Sequence, residues 1–124
     1  MGIFLAIAIG GAIGSLLRFY LSKFLQKKFG VEFPVGTLIV NLTGAFFIGL
    51  FFSYLVEKLD ISVELRAFLI TGLLGGFTTF STFSYESFNL IVNGEYLKFF
   101  AYFMGTSFVG LLLTFLGYNV GRWL

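Results

Sequence analysis

Residues 72–86 read Gly72-Leu73-Leu74-Gly75-Gly76-Phe77-Thr78-Thr79-Phe80-Ser81-Thr82-Phe83-Ser84-Tyr85-Glu86. They lie inside a long apolar stretch, residues 63–92, that otherwise suits a membrane-crossing helix. From Val63 to Gly75 a helix rises roughly 18 Å at about 1.5 Å per residue. That puts Gly75-Gly76 near the middle of a hydrocarbon core about 30 Å thick. Gly-Gly followed by Thr-Thr is a poor helix interior, because glycine is entropically costly and threonine hydroxyls compete for backbone groups. A helix broken there releases C=O and N–H groups, which lipid tolerates only inside protein or beside a water-filled site. Released carbonyls suit a small cation, and released N–H ends favour anions. The competing possibility is an intact helix whose hydroxyls bond back to carbonyls one turn earlier. The coincidence of the glycine pair, the hydroxyl run and the midplane favours the break.

The rest of the chain supports a membrane setting. Of 124 residues 58% are hydrophobic and only 11% charged, with a mean hydropathy of +0.98; a soluble domain carries about 25% charged residues. Glycine (16) and phenylalanine (19) are abundant beside a single Pro and a single Trp, as expected where small residues let membrane helices approach. Besides residues 63–92, spans are predicted over 2–25, 34–56 and 96–122, each near the roughly 20 apolar residues a crossing needs. Pro34 opens the second, where a missing N–H costs nothing. Short connections predict antiparallel neighbours and one compact all-α domain over residues 1–124. The first apolar run lacks a basic flank at its start and is expected to be a retained helix, not a cleaved signal.

Several function classes are excluded. A net charge of +2, with no basic run longer than Lys27-Lys28, does not suit nucleic acid. The chain has no Cys and no His, which removes thiolate metal sites and the commonest general base. With no phosphate-binding loop either, an enzyme is not expected.

Orientation follows the Lys/Arg balance of the loops. With an even number of spans, Lys58, Arg66 and Arg122 share the side of the termini. Lys23, Lys27, Lys28 and Lys98 lie on the other, with Arg18 within snorkelling reach. So weak a bias fits either a single topology or insertion both ways up. In the second case, two oppositely oriented copies pair about an axis in the membrane plane, the oligomeric counterpart of an inverted repeat.

Polar residues within the spans are the functional candidates. Asn41 lies seven residues past Pro34, roughly 10 Å into its span, and its amide suits either an interhelical clamp or a donor to an anion. Arg18 either snorkels or draws anions towards a vestibule. Phe80 and Phe83 share a helix face, as core packing or as positive ring edges along an anion path. Thr79, Ser81, Thr82 and Ser84 offer hydroxyl donors among them. Glu86 is unexpected beside an anion path and is assigned a cation or backbone partner. Gly10-xxx-Gly14 and Gly117-xxx-Gly121 are close-packing pairs.

Three segments also carry a resemblance. Residues 10–18 (Gly-Gly-Ala-Ile-Gly-Ser-Leu-Leu-Arg), 36–46 (Gly-Thr-Leu-Ile-Val-Asn-Leu-Thr-Gly-Ala-Phe) and 75–83 (Gly-Gly-Phe-Thr-Thr-Phe-Ser-Thr-Phe) resemble, in order and spacing, the motifs of the Fluc (CrcB) fluoride channels. The resemblance implies a dual-topology antiparallel homodimer in the cell (inner) membrane, with two pores passing fluoride passively and excluding chloride. It implies a central structural Na⁺ held by the backbone carbonyls of Gly75 and Thr78. It also implies a pore lined by Phe80, Phe83, Asn41 and Glu86, with Arg18 in the vestibule. In the fourth span, Tyr102 and Thr106 fit the family's polar track, with Ser107 as the alternative to Thr106; Gly110 stands where a further hydroxyl is expected. Two other classes compete. A proton-coupled drug exporter needs a mid-membrane carboxylate, which the first two spans lack. A structural subunit would conduct nothing.

Overall fold

A computed structural model describes residues 2–30 and 32–124, and four helical stretches in it are long and apolar enough to cross a membrane. We label them α1 (Gly2–Phe29), α2 (Val35–Lys58), the broken third span Val63–Val92, whose halves are α3 (residues 63–77) and α4 (Phe80–Val92), and α5 (Tyr96–Trp123). Helix α1 runs four residues past its apolar stretch. Gln26, Lys27 and Lys28 are good helix formers, and the lysines sit at the negative end of the helix dipole. Helix α3 starts at Ser62, whose hydroxyl accepts from Leu65 N at 3.1 Å. Gly94 (φ +73°) makes the tight turn between α4 and α5.

Two stretches are π-helical, Phe51–Lys58 at the end of α2 and Ala67–Leu74 within α3. The second leads directly into the break, which is where such wide turns are usually found, beside functional irregularities. The interruption itself falls at Thr78 (φ −84°, ψ 157°) and Thr79 (φ −147°, ψ 121°), both extended, one turn beyond where the glycine pair alone pointed. Gly75 and Gly76 stay helical. Gly76 serves instead as a contact point with α1, since a Cβ there would come within 3.1 Å of both Gly11 Cα and Ser15 Oγ, whereas Gly75 is exposed.

The bundle is assembled as two glycine-seamed pairs, α1 with α3 and α2 with α5. Across the first, Gly14 faces Leu73 O and Phe77 N; across the second, Gly117 faces Phe46 O and Leu50 N. Side chains cannot enter these seams, so backbones touch and van der Waals contact replaces the hydrophobic drive that lipid removes. Gly117→Val is accordingly expected to lower stability by about 3 kcal/mol, the upper range for overpacking, read as a drop in the thermal midpoint of the detergent-purified protein. Helix α4 packs mainly on α5, through a buried cluster of Phe83, Leu90 and Tyr102 edged by Phe33, Leu38 and Phe99. The outer faces of the helices are apolar, as a lipid-facing surface requires.

Candidate functional site

The site forms around the break because side chains from two other helices take over the backbone groups that the helical ladder gives up. Asn41 of α2 grips the Thr79 peptide from both ends: Thr79 N–H donates to Oδ1 at 2.9 Å, and Nδ2 donates to Thr79 O at 3.0 Å. One amide hydrogen of Asn41 remains to spare. Arg18 of α1 donates from Nε to Gly76 O at 2.9 Å. The guanidinium thus caps a carbonyl at the break, a partner that neither the snorkelling nor the vestibule reading of Arg18 named. Thr78 closes α3 by donating from both its N–H and its hydroxyl to Leu74 O, each at 3.0 Å. Thr79 opens α4 as its N-cap, its hydroxyl accepting from Thr82 N at 3.3 Å.

One consequence is a division among the carbonyls. Those of Gly76 and Thr79 are bonded by Arg18 and Asn41, while the N–H groups four residues past Gly75 and Thr78 are diverted, Thr79 N–H to Asn41 Oδ1 and Thr82 N–H to the Thr79 hydroxyl. The usual donor for Gly75 O would be Thr79 N–H, four residues on, and Asn41 has taken it.

An open cleft of about 620 Å³ runs past this point and brings together Asn41, Gly75, Thr78, Thr79, Phe80, Phe83 and Thr106. Phe83 is buried, at 5% exposure, while Phe80 is 77% exposed. Their ring centroids are 6.0 Å apart. Phe83 lies 5.1 Å from the Tyr102 ring and is stacked on Phe103 at 5.4 Å and 15°. Stacking on Phe103 covers one face of the Phe83 ring and sets its orientation.

Beyond Phe83 a second, more polar cleft of about 500 Å³ is lined by Glu86 and Asn89 of α4 and by Asn93 just past its end, with Gln26, Glu32 and Glu95. Tyr102 stands between the two, donating its phenol hydrogen to Glu86 Oε1 at 3.0 Å. The partner of Glu86 is thus a tyrosine hydroxyl, not a cation or a backbone group. Along α5, Thr106 Oγ1 is buried with no partner among the described residues, whereas Ser107 donates to Phe103 O at 2.9 Å. The unused donor is therefore that of Thr106. Gly110 leaves a gap in this line, and the next hydroxyl, Thr114, lines the first cleft while donating to Ala45 O at 2.8 Å. Sequence reasoning did not single out Thr114, although its spacing of eight from Thr106 places it on the same face. Ser81 and Ser84 line neither cleft; they are exposed on the outer face of α4 beside Phe80, with Ser81 Oγ 3.4 Å from Thr79 Oγ1. Thr82 is partly buried and shares a hydrogen bond with the Thr79 hydroxyl at 3.2 Å.

Chemically, the first cleft gathers weak donors, namely an amide hydrogen, hydroxyls and ring edges, next to carbonyls whose usual donors are diverted. It holds no nucleophile–base pair, and no group of three or more carboxylates is placed to hold a metal among the described residues.

The sequence profile of the CrcB-like protein, Camphor Resistance (CrcB) family matches residues 5–118. A protein of Aquifex aeolicus (strain VF5) named "Fluoride-specific ion channel FluC" is 64% identical over 122 residues, covering 98% of each chain. Proteins of the same name from Hydrogenobaculum sp. (strain Y04AAS1) and from Thermus thermophilus are each 49% identical over 118 residues. These matches cover 95% of this chain and 96% and 92% of theirs.

Proposed function

The chain belongs to the CrcB-like family, and on that premise we propose that this multi-pass membrane protein is a fluoride-selective passive channel of the cell (inner) membrane. Fluoride moves down its electrochemical gradient, out of the cytoplasm. HF that enters an acid-exposed cell dissociates inside, and an interior-negative potential drives the trapped anion out, with about 2.3 kcal/mol per charge at 100 mV.

One observation carries this reading: a broken third span that gathers the Asn41 amide, the unpartnered Thr106 hydroxyl and the Phe80 and Phe83 rings on a single cleft. A small, strongly hydrated anion surrenders water only if donors replace it, and these are donors without a full positive charge to trap it. The Tyr102–Glu86 pair fits the same path. With its carboxylate oxygen occupied by the phenol hydrogen, Glu86 presents less bare charge to a passing anion.

The functional unit is a homodimer of oppositely inserted copies with two pores. Supporting this, the α4 face carrying Phe80, Ser81 and Ser84 is exposed in the single subunit, and hydroxyls bare to lipid are unfavourable. The carbonyls of Gly75 and Thr78 would hold a structural Na⁺ shared by the two copies. The diversion of their usual donors, Thr79 N–H and Thr82 N–H, fits that role, since unwound backbone carbonyls coordinate sodium in other membrane proteins. Such an ion would supply a fixed positive charge between the two breaks.

Liposomes containing only this protein, loaded with fluoride and diluted into fluoride-free buffer, are expected to release fluoride to an ion-selective electrode once valinomycin balances the charge. Chloride-loaded liposomes are expected to release none. Equal release of both ions, or no release of either, overturns the proposal.

A further inference from the structure

Gly10, Gly14 and Arg18 are spaced by four along α1 and form one stripe against α3. A Cβ on Gly10 would come within 3.0 Å of Leu73 N, one on Gly14 within 2.9 Å of Phe77 N, and Arg18 reaches Gly76 O at 2.9 Å. The stripe thus follows α3 turn by turn to its broken end, where the glycines give way to a guanidinium. A charge in the membrane interior is costly unless it has work to do. The bond it makes is charge-assisted and about twice as strong as a neutral one.

We propose that Arg18 is a positioning residue for the cation: by fixing the Gly76 carbonyl against α1, it holds the flanking Gly75 and Thr78 carbonyls clear of the helical ladder and available as ligands. The proposal rests on the sodium reading above. Arg18 acts here through geometry, because a positive charge beside a cation repels it. With Thr78 and Thr79 extended, the N–H groups that would normally meet these carbonyls are spent elsewhere: Thr79 N–H on Asn41 and Thr82 N–H on the Thr79 hydroxyl. Arg18 secures one side of the break and Asn41 the other. A planar fork with a directed Nε–H fixes one carbonyl orientation, whereas an ammonium on a flexible stem does not.

Arg18→Lys keeps the charge and removes the fork, which separates positioning from anion attraction. The measurement is the thermal midpoint of the full-length detergent-purified protein in NaCl and in KCl at equal ionic strength. Wild type is expected to melt higher in sodium, and Arg18→Lys is expected to lose at least half of that sodium-over-potassium difference. A variant that retains the whole difference overturns the inference while leaving the sodium site standing. A wild-type protein indifferent to the two salts overturns the sodium reading and this inference with it. Should Arg18→Lys not fold, ¹⁵N-arginine labelling of wild type gives the readout, since the chain has only Arg18, Arg66 and Arg122 to assign. The Arg18 Nε–H resonance is expected to shift on titration with Na⁺ and not with K⁺. An unmoved resonance in a protein that sodium stabilises overturns the inference.

Discussion

Asn41→Leu is expected to reduce fluoride efflux at least about 30-fold, the largest loss predicted for any single side chain here. The substitution strands the N–H and the carbonyl of Thr79, both now satisfied by one amide. Each polar group left unpaired in the interior costs about 1–3 kcal/mol, and about 1.4 kcal/mol is a factor of ten. The chain has one local way to recover part of that cost: Thr79 N–H can fall back on Gly75 O, four residues earlier, and heal the helix. That repair withdraws Gly75 from any cation and swings Phe80, the first residue of α4, away from its present place. Either way the path is lost, along with the spare Asn41 hydrogen that faces it. Efflux from liposomes at matched protein content tests this, and flux within about threefold of wild type would show that Asn41 is neither clamp nor donor at this site.

Asn41 also illustrates what the sequence could and could not say. Its depth in the second span was readable from the distance to Pro34, because helical rise is fixed. Its partner was not, because no periodicity in one span indicates which turn of another lies opposite. The same limit applies to Arg18. Sequence supplies a charge, four residues past Gly14, and leaves snorkelling and anion attraction open. The seating of α1 on α3, set by backbone contact at Gly10 and Gly14, is what brings the guanidinium to Gly76 O. The break was legible as a weak point and misplaced by one turn. Glycine lowers helix propensity, but packing against Gly11 holds Gly76 helical, and it is the threonine pair, with hydroxyls able to finish one helix and cap the next, that absorbs the interruption. The four spans were legible because a hydrocarbon core demands long apolar runs. The π-helical stretches were not, since nothing in Ala67–Leu74 distinguishes a fifth-residue hydrogen bond from a fourth.

Phe80→Ile is the second large effect and the cleaner test of the ring edges. Phe83 is a poor subject for it: buried at 5% exposure and stacked on Phe103, it cannot be replaced without disturbing the α4–α5 core, so Phe83→Ile is expected to lower stability and flux together. Phe80 is 77% exposed in the subunit, and isoleucine there opens no cavity within the fold. What is removed is the positive ring edge, for which an aliphatic side chain has no substitute. The same ring quadrupole holds a desolvated cation over its face by about 2 kcal/mol; taking the edge contact with an anion as of that order, a barrier raised by about 2 kcal/mol slows passage about 30-fold. The expected result is therefore a Phe80→Ile protein whose subunit fold is kept yet which passes fluoride roughly 30 times more slowly, with chloride still excluded. Unchanged efflux would mean that the Phe80 ring only packs, and the anion path would then have to be carried by the Asn41 amide and the hydroxyls alone.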